Sequence, residues 1–380
     1  LFAVGGYGRG ELFPHSDIDL LVIATSEAQA EHAEALGRML ALLWDFGLPV
    51  GHAVRSFEEC TRAADDVTVL TALLEARPLL ANIGEVRALM DAIADTKVWP
   101  ADDFFHAKRR ELEMRHARFG DTADNLEPNI KDGPGGLRDV HNLRWMARRV
   151  LGVYGTEELI ALGQLGVDEH ATLERERRTL SRLRFGLHLV AGKAEERLRF
   201  DYQKALAARL HHVEAADNPL VEKMMQEFYR SASVVQRISE RMLQRFEEQI
   251  EGEGTLQPLD AEFGSQRGYL VARDDVWPGG DIARVFDLFA MWADHQELRG
   301  LHSQTARALA ESLHALPSWR SASRELREQF LGLLRGPIPV RTLERMARLG
   351  VLGVWIPEFA NVTGRMQFDL FHVYTVDQHT

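Results

Sequence analysis

Asp17 and Asp19, in the stretch GGYGRGELFPHSDIDLLVI at residues 5–23, are the side chains whose types and spacing best suit chemistry. In an extended segment, residues two apart project to one side, so the two carboxylates share a face while Ile18 and Leu20 take the other. Carboxylates held that close repel unless a cation lies between them. Mg²⁺ answers that need, as a hard ion that takes one or two carboxylates plus phosphate oxygens. Gly5 and Gly6 precede the pair by ten residues, with Gly8 close behind them. Such glycines leave room for a triphosphate to approach main-chain N–H groups, and Arg9 and Ser16 add polar groups within reach. A D-x-D or a glycine turn alone is usually structural. Combined in the order strand, glycine turn, strand, they point to metal-assisted phosphoryl or nucleotidyl transfer.

The elements that would position this group are legible in outline. Residues 1 to about 60 alternate between strand and helix signals: LFAV, DIDLLVIA, a helix over about 27–46, then LPVGHAVRS. Leu36, Met39, Leu40 and Leu43 mark one face of that helix and Gly47 stops it. Ser56 and Glu59 in SFEEC form a capping box, and helices near 66–76 and 84–95 complete a first unit over 1–100. Long helices with charged outer faces fill 101–254. The clearest runs from Asn218 to Glu251, where Val221, Met225, Phe228, Val235, Ile238, Met242 and Phe246 form a core stripe. EGEGTLQP at 251–258 breaks the pattern. A mainly helical segment follows over 255–364, with a short strand pair in AEFGSQRGYLVAR and helices from about Asp281 to Leu316 and again to the end.

Bulk composition limits the partners. The formal charge is −12, and the first hundred residues carry 7 basic against 15 acidic side chains. A polymer of phosphates finds little nonspecific attraction here, which argues against nucleic acid. No apolar run approaches the roughly 20 residues of a membrane span. Cys60, the single cysteine, reads as a core residue and fits a reducing, cytoplasmic setting. The opening LFAV run reads as a strand entered part-way, so the chain is expected to be a piece of a longer one. The run LERERRTLSRLR at 173–184 reads as a solvated helix face.

The spacing of the double glycine and D-x-D resembles that of the polymerase-beta-type nucleotidyltransferases. The longer GGYGRGELFPHSDIDLL is similar to the corresponding string of the bacterial PII-uridylyltransferase family. NIKDGPGGLRDVH (129–141), TALLEARPLL, GYLVAR and the string from Arg345 to Thr380 resemble the same family. The resemblance implies an α+β fold: a small mixed sheet with helices, then a mainly helical domain over its open face, then a helical C-terminal segment. It implies that Asp17 and Asp19 hold Mg²⁺, that Gly5 and Gly6 cradle UTP, and that UMP passes to a tyrosine of the PII signalling protein with release of pyrophosphate.

Other readings attach to particular residues. Lys131 and Arg138, in a glycine-rich loop, suit either phosphate contact or an ordinary helix-entry turn. The strand LPVGHAVRS lacks the third carboxylate found in many polymerase-beta-type enzymes. Glu75 is the nearest acid, with a helix-surface role as its alternative. FHVYTVDQHT resembles the start of an HD phosphohydrolase domain, making His379 a first metal ligand without its partners and His372 a nearby polar group. On that reading the chain transfers UMP but does not remove it. The competing functions are an adenylyltransferase acting on glutamine synthetase or another protein, and a nucleotide-binding module without turnover.

Overall fold

A computed structural model describes residues 1–211, 213, 217–252, 254–366 and 375–379. The first unit comprises β1 (Phe2–Val4), α1 (Gly5–Gly8), β2 (Ile18–Ile23), α2 (Ser26–Glu31), α3 (Ala33–Asp45), β3 (Val50–Arg55), α4 (Phe57–Ala63), α5 (Val67–Leu74), β4 (Arg77–Pro78) and α6 (Ile83–Ala92). Its sheet has the order β3-β2-β1-β4. β2 runs parallel to β3 and antiparallel to β1, which also pairs antiparallel with β4. This is the small mixed sheet expected. The helix expected over 27–46 is two helices, divided at His32, where φ is −103°. Both bonds of the Ser56–Glu59 capping box form, at 3.1 and 2.7 Å, and Asn82 with Glu85 makes a second at the start of α6.

The second unit is helical: α7 (Ala101–Ala117), α8 (Leu137–Leu151), α9 (Thr156–Ala161), α10 (Val167–Ala191), α11 (Phe200–Leu210) and α12 (Asn218–Glu251). α12 has the bounds that the sequence predicts, because Asp217 caps it through the Leu220 amide and Gly252 ends it. Every residue of its predicted stripe is buried. Phe2, Leu21, Cys60 and Leu70 of the first unit share one core with Phe104, Met146, Phe228 and Phe246 of the second. Burial pushes the Cys60 thiol up to about 11, which suits an inert core residue.

The third unit holds β5 (Gln257–Pro258), β6 (Phe263–Gln266), β7 (Tyr269–Ala272), α13 (Arg284–Asp294), β8 (Gly300–Leu301), α14 (Ser303–Ser312), α15 (Arg324–Leu334), α16 (Pro339–Arg348), α17 (Val351–Trp355) and α18 (Pro357–Val362). Its core, which includes Phe286, Phe289, Phe330 and Trp355, is separate from the first. β6 and β7 form the expected pair through a two-residue turn in which Arg267 and Gly268 both have positive φ, 52° and 79°. That conformation matches the twist of a tight hairpin. The helices expected over 281–316 are α13 and α14, and a strand stands between them. β8 adds to the sheet beside β7, with Arg299 and His302 donating their N–H groups to the Gly268 and Leu270 carbonyls at 2.8 and 2.9 Å. A last turn, α19 (Val376–His379), ends the described chain. No helix among the described residues is long and apolar enough to cross a membrane.

Candidate active site

β1 ends in the turn α1, and the chain returns through residues 9–17 to enter β2. Asp17 lies one position before β2 and is exposed, whereas Asp19 is half-buried inside it. Partial burial raises the Asp19 carboxyl above its ordinary value, and the charge of Asp17 raises it further. A carboxylate in that setting gains from a cation nearby. Glycines flank it on both sides: a Cβ at Gly5 would lie 2.8 Å from Asp19 Oδ2, and one at Gly51 would lie 2.7 Å from Oδ1. Gly51 is the register partner of Asp19 on β3. Gly5 has φ +57°, a conformation that glycine adopts without strain.

This register explains the missing acid on β3. The positions sharing a face with Asp19 are Gly51, Ala53 and Arg55, while His52 lies on the opposite face with its ring 5.7 Å from that of Trp44. Among the described residues no three metal-ligating side chains converge. Two hard oxygen donors suit a divalent cation that draws the rest of its shell from water or a bound ligand.

Glu75 does not sit on a helix surface. Its side chain is buried at the end of α5, where it accepts from Arg9 at 2.6 Å and from the Trp145 indole. Both carboxylate oxygens are therefore already engaged. Gly8 allows this approach, since a Cβ there would strike the Glu75 carbonyl. Arg9 also donates to Glu11 at 3.2 Å, so it is held by two acids while its charge still acts on Asp19. Ser16 closes its own turn, with Oγ accepting from the Phe13 amide at 3.1 Å.

Glu11 was missed in the sequence although it stands inside the glycine string. It accepts from His141 Nε2 at 2.8 Å, Arg144 at 2.9 Å, Arg9 at 3.2 Å and Arg177 at 3.4 Å. These cations and the histidine hydrogen bond hold its carboxyl far below the usual range despite partial burial. Burial first, then Arg9, pushes His141 down to about 3. The imidazole is thus neutral and donates its Nε2–H to Glu11. Arg177 and Arg184 overturn the reading of 173–184 as a solvated face. Arg184 is buried, donates to Glu196 and lies 4.1 Å over the Phe13 ring. Seven residues apart on α10, the two arginines form one stripe that clamps the loop between α1 and β2.

The glycine-rich loop at 129–138 is built by close packing. Asp139 is 1% exposed and accepts from Arg115 at 2.6 Å, His116 at 3.0 Å and the Gly135 amide at 2.7 Å. Gly135, at φ +70°, lies where a Cβ would strike the Ala232 carbonyl of α12. The Arg138 amide that opens α8 donates to the Lys131 carbonyl at 2.8 Å, and the Leu137 amide to that of Ile130 at 3.2 Å. The main chain here is a helix-entry turn. The Lys131 ammonium lies 3.7 Å from Glu196, and Arg138 pairs with Asp132 at 3.3 Å beside the Trp145 ring. The side chain of His379 and the whole of His372 lie outside the described residues.

Comparison with known proteins places this geometry. Residues 1–74 match the nucleotidyltransferase domain, residues 103–243 the GlnD PII-uridylyltransferase family, and residues 263–355 the uridylyltransferase GlnD third domain. The chain thus carries a nucleotidyltransferase domain and two domains of the GlnD uridylyltransferase type. The bifunctional uridylyltransferase/uridylyl-removing enzyme of Xanthomonas axonopodis pv. citri is 63% identical over 380 residues, all of this chain and 44% of that relative. The enzyme of the same description from Pseudomonas putida is 40% identical over 387 residues, again all of this chain and 43% of the relative. The chain therefore spans less than half the length of these relatives. Within the family frame, Asp17, Asp19 and the double glycine belong to the nucleotidyltransferase match, and His141, Arg144 and Arg177 to the uridylyltransferase match.

Proposed function

We propose that this chain carries the nucleotidyl-transfer site of a PII uridylyltransferase, moving UMP from UTP to a tyrosine hydroxyl of the PII protein in the cytoplasm. The observation that carries the reading is the Asp17–Asp19 pair at the head of β2, with Asp19 lodged between Gly5 and Gly51. The tyrosine oxygen would attack the α-phosphorus in line as the bond to the bridging oxygen breaks and pyrophosphate leaves. Bound Mg²⁺ would supply charge neutralisation on the phosphates and a lowered pKa at the acceptor hydroxyl. Asp17 and Asp19 hold it; Gly5 and Gly6 leave space for the triphosphate. Arg9, fixed by Glu75 and Glu11, sets the positive charge near Asp19 in one place. Ser16 keeps the loop closed, and Lys131 and Arg138 offer cations to the nucleotide from the helical unit. UTP rather than ATP rests on the family strings and on the description of the relatives as uridylyltransferases.

The test is incubation of the chain with Mg²⁺, α-labelled UTP or ATP, and PII, beside the Asp17→Asn/Asp19→Asn variant. Label from UTP on a PII tyrosine, lost in the variant, is the expected result. Label from ATP alone would make it an adenylyltransferase. A nucleotide-binding module without turnover is the second reading, favoured by Gly51 standing where a third acid would face Asp19. Nucleotide binding with no label from either donor would support it.

A further inference from the structure

An arginine cluster in the third unit takes no part in the site above. Arg341, Arg345 and Arg348 recur along α16 at the spacing of one helical face, and Arg299 meets them from the segment before β8. With Trp292 they border a cavity of about 410 Å³. Arg345 lies on its floor, 4% exposed, with Nη1 donating to the Trp292 carbonyl at 2.8 Å and the guanidinium 4.0 Å over the Trp292 ring. Arg341, Arg348 and Arg299 are exposed around it. Among the described residues none of the four forms an ion pair. Two acids also line the cavity, Glu344 and Glu297, and the latter is held by His295 at 3.0 Å.

A buried guanidinium without a counter-ion is costly. Burial and the like charges of Arg341 and Arg348 push Arg345 down to about 10, the direction that an anion would reverse. Its stack on Trp292 fixes the planar fork of donors, the arrangement suited to oxyanions. Arg299, Arg348 and Trp292 also line a second cavity of about 890 Å³ that reaches α12. That space can take the body of a ligand whose charged group is held by the cluster.

We propose that this cavity binds a phosphate-bearing small molecule, its phosphate held by Arg345 at the floor and by Arg341 and Arg348 at the rim. The site is distinct from Asp17 and Asp19 and does not depend on the proposed transfer. The test is calorimetric titration of the chain with pyrophosphate, free of divalent metal, with citrate as the carboxylate control. The wild type and the Asp17→Asn/Asp19→Asn variant are expected to bind pyrophosphate alike. Arg341→Gln/Arg348→Gln, at two exposed positions that spare the fold, is expected to weaken binding about tenfold or more. Absence of saturable binding, equal affinity in the arginine variant, equal affinity for citrate, or loss in the aspartate variant would each overturn the proposal.

Discussion

Glu11, within the loop between α1 and β2, and Asp19, just after it, stand eight residues apart, and their surroundings push the same functional group in opposite directions. Glu11 is surrounded by three arginines and a neutral histidine donor, so its charge is fully answered within the protein. Asp19 has glycine on both sides and a second carboxylate before it, so its charge is left for a partner from outside. The first arrangement fastens the loop to α8 and α10; the second leaves the strand-end carboxylate with no ion pair among the described residues. An acid that is satisfied holds structure together, and an acid that is not becomes a place for a ligand.

Experiments can break or sharpen this contrast. Asp19→Asn should lower UMP transfer about 10³-fold without lowering Tm, since it removes a repulsion. A marked fall in Tm would mean that Asp19 is structural like Glu11. Glu11→Ala should do the reverse in kind, costing about 3 kcal/mol of stability by stranding several cations. Urea unfolding would measure it, and an unchanged midpoint would sink the idea of a fastening hub. Gly51→Ala should cut transfer about 10²-fold by displacing the Asp19 carboxylate, with little change in urea midpoint; full activity would show that the cradle is dispensable.

The smallest effect concerns acid. His141 stays neutral in the folded chain down to about pH 3, whereas an unfolded histidine takes up a proton near its ordinary 6.5. Its contribution to stability is thus complete above pH 6.5 and declines as pH falls toward 3. Glu11, with its carboxyl held low, adds a further loss below its ordinary 4.5. His141→Gln keeps a donor for Glu11 and should flatten the Tm profile between pH 6.5 and 4.5. A profile as steep as that of the wild type would remove His141 from the account.

Local signals were legible and distant partnerships were not. The Ser56–Glu59 capping box, the bounds of α12, its buried stripe and the place of Cys60 depend on residues close in sequence or on simple periodicity. The D-x-D at the head of β2 is local in the same sense. Glu11 and His141 lie 130 residues apart, and Glu75 meets Arg9 across 66; neither partner announces the other. The run at 173–184 misled because charge alone does not say which turns of a helix face solvent. The packing of Gly133, Gly135 and Gly136 was hidden for a comparable reason. Nothing in their own neighbourhood reveals that Ala232 of α12 will press against them. Strand β8 was hidden because two residues beside β7 form a strand only through their neighbour.

α12 has one further consequence. Its 34 residues contain no glycine, and its one proline is at the start, so it is a rod about 50 Å long without a hinge. Near its middle Ala232 bears on the glycine loop, and near its far end Glu248 receives the Ser303 hydroxyl of α14 at 3.0 Å. The rod thus works as a gauge block. It fixes the spacing between the third unit and the glycine-rich loop that opens α8, and a shift at one end must be answered by the whole rod sliding or turning.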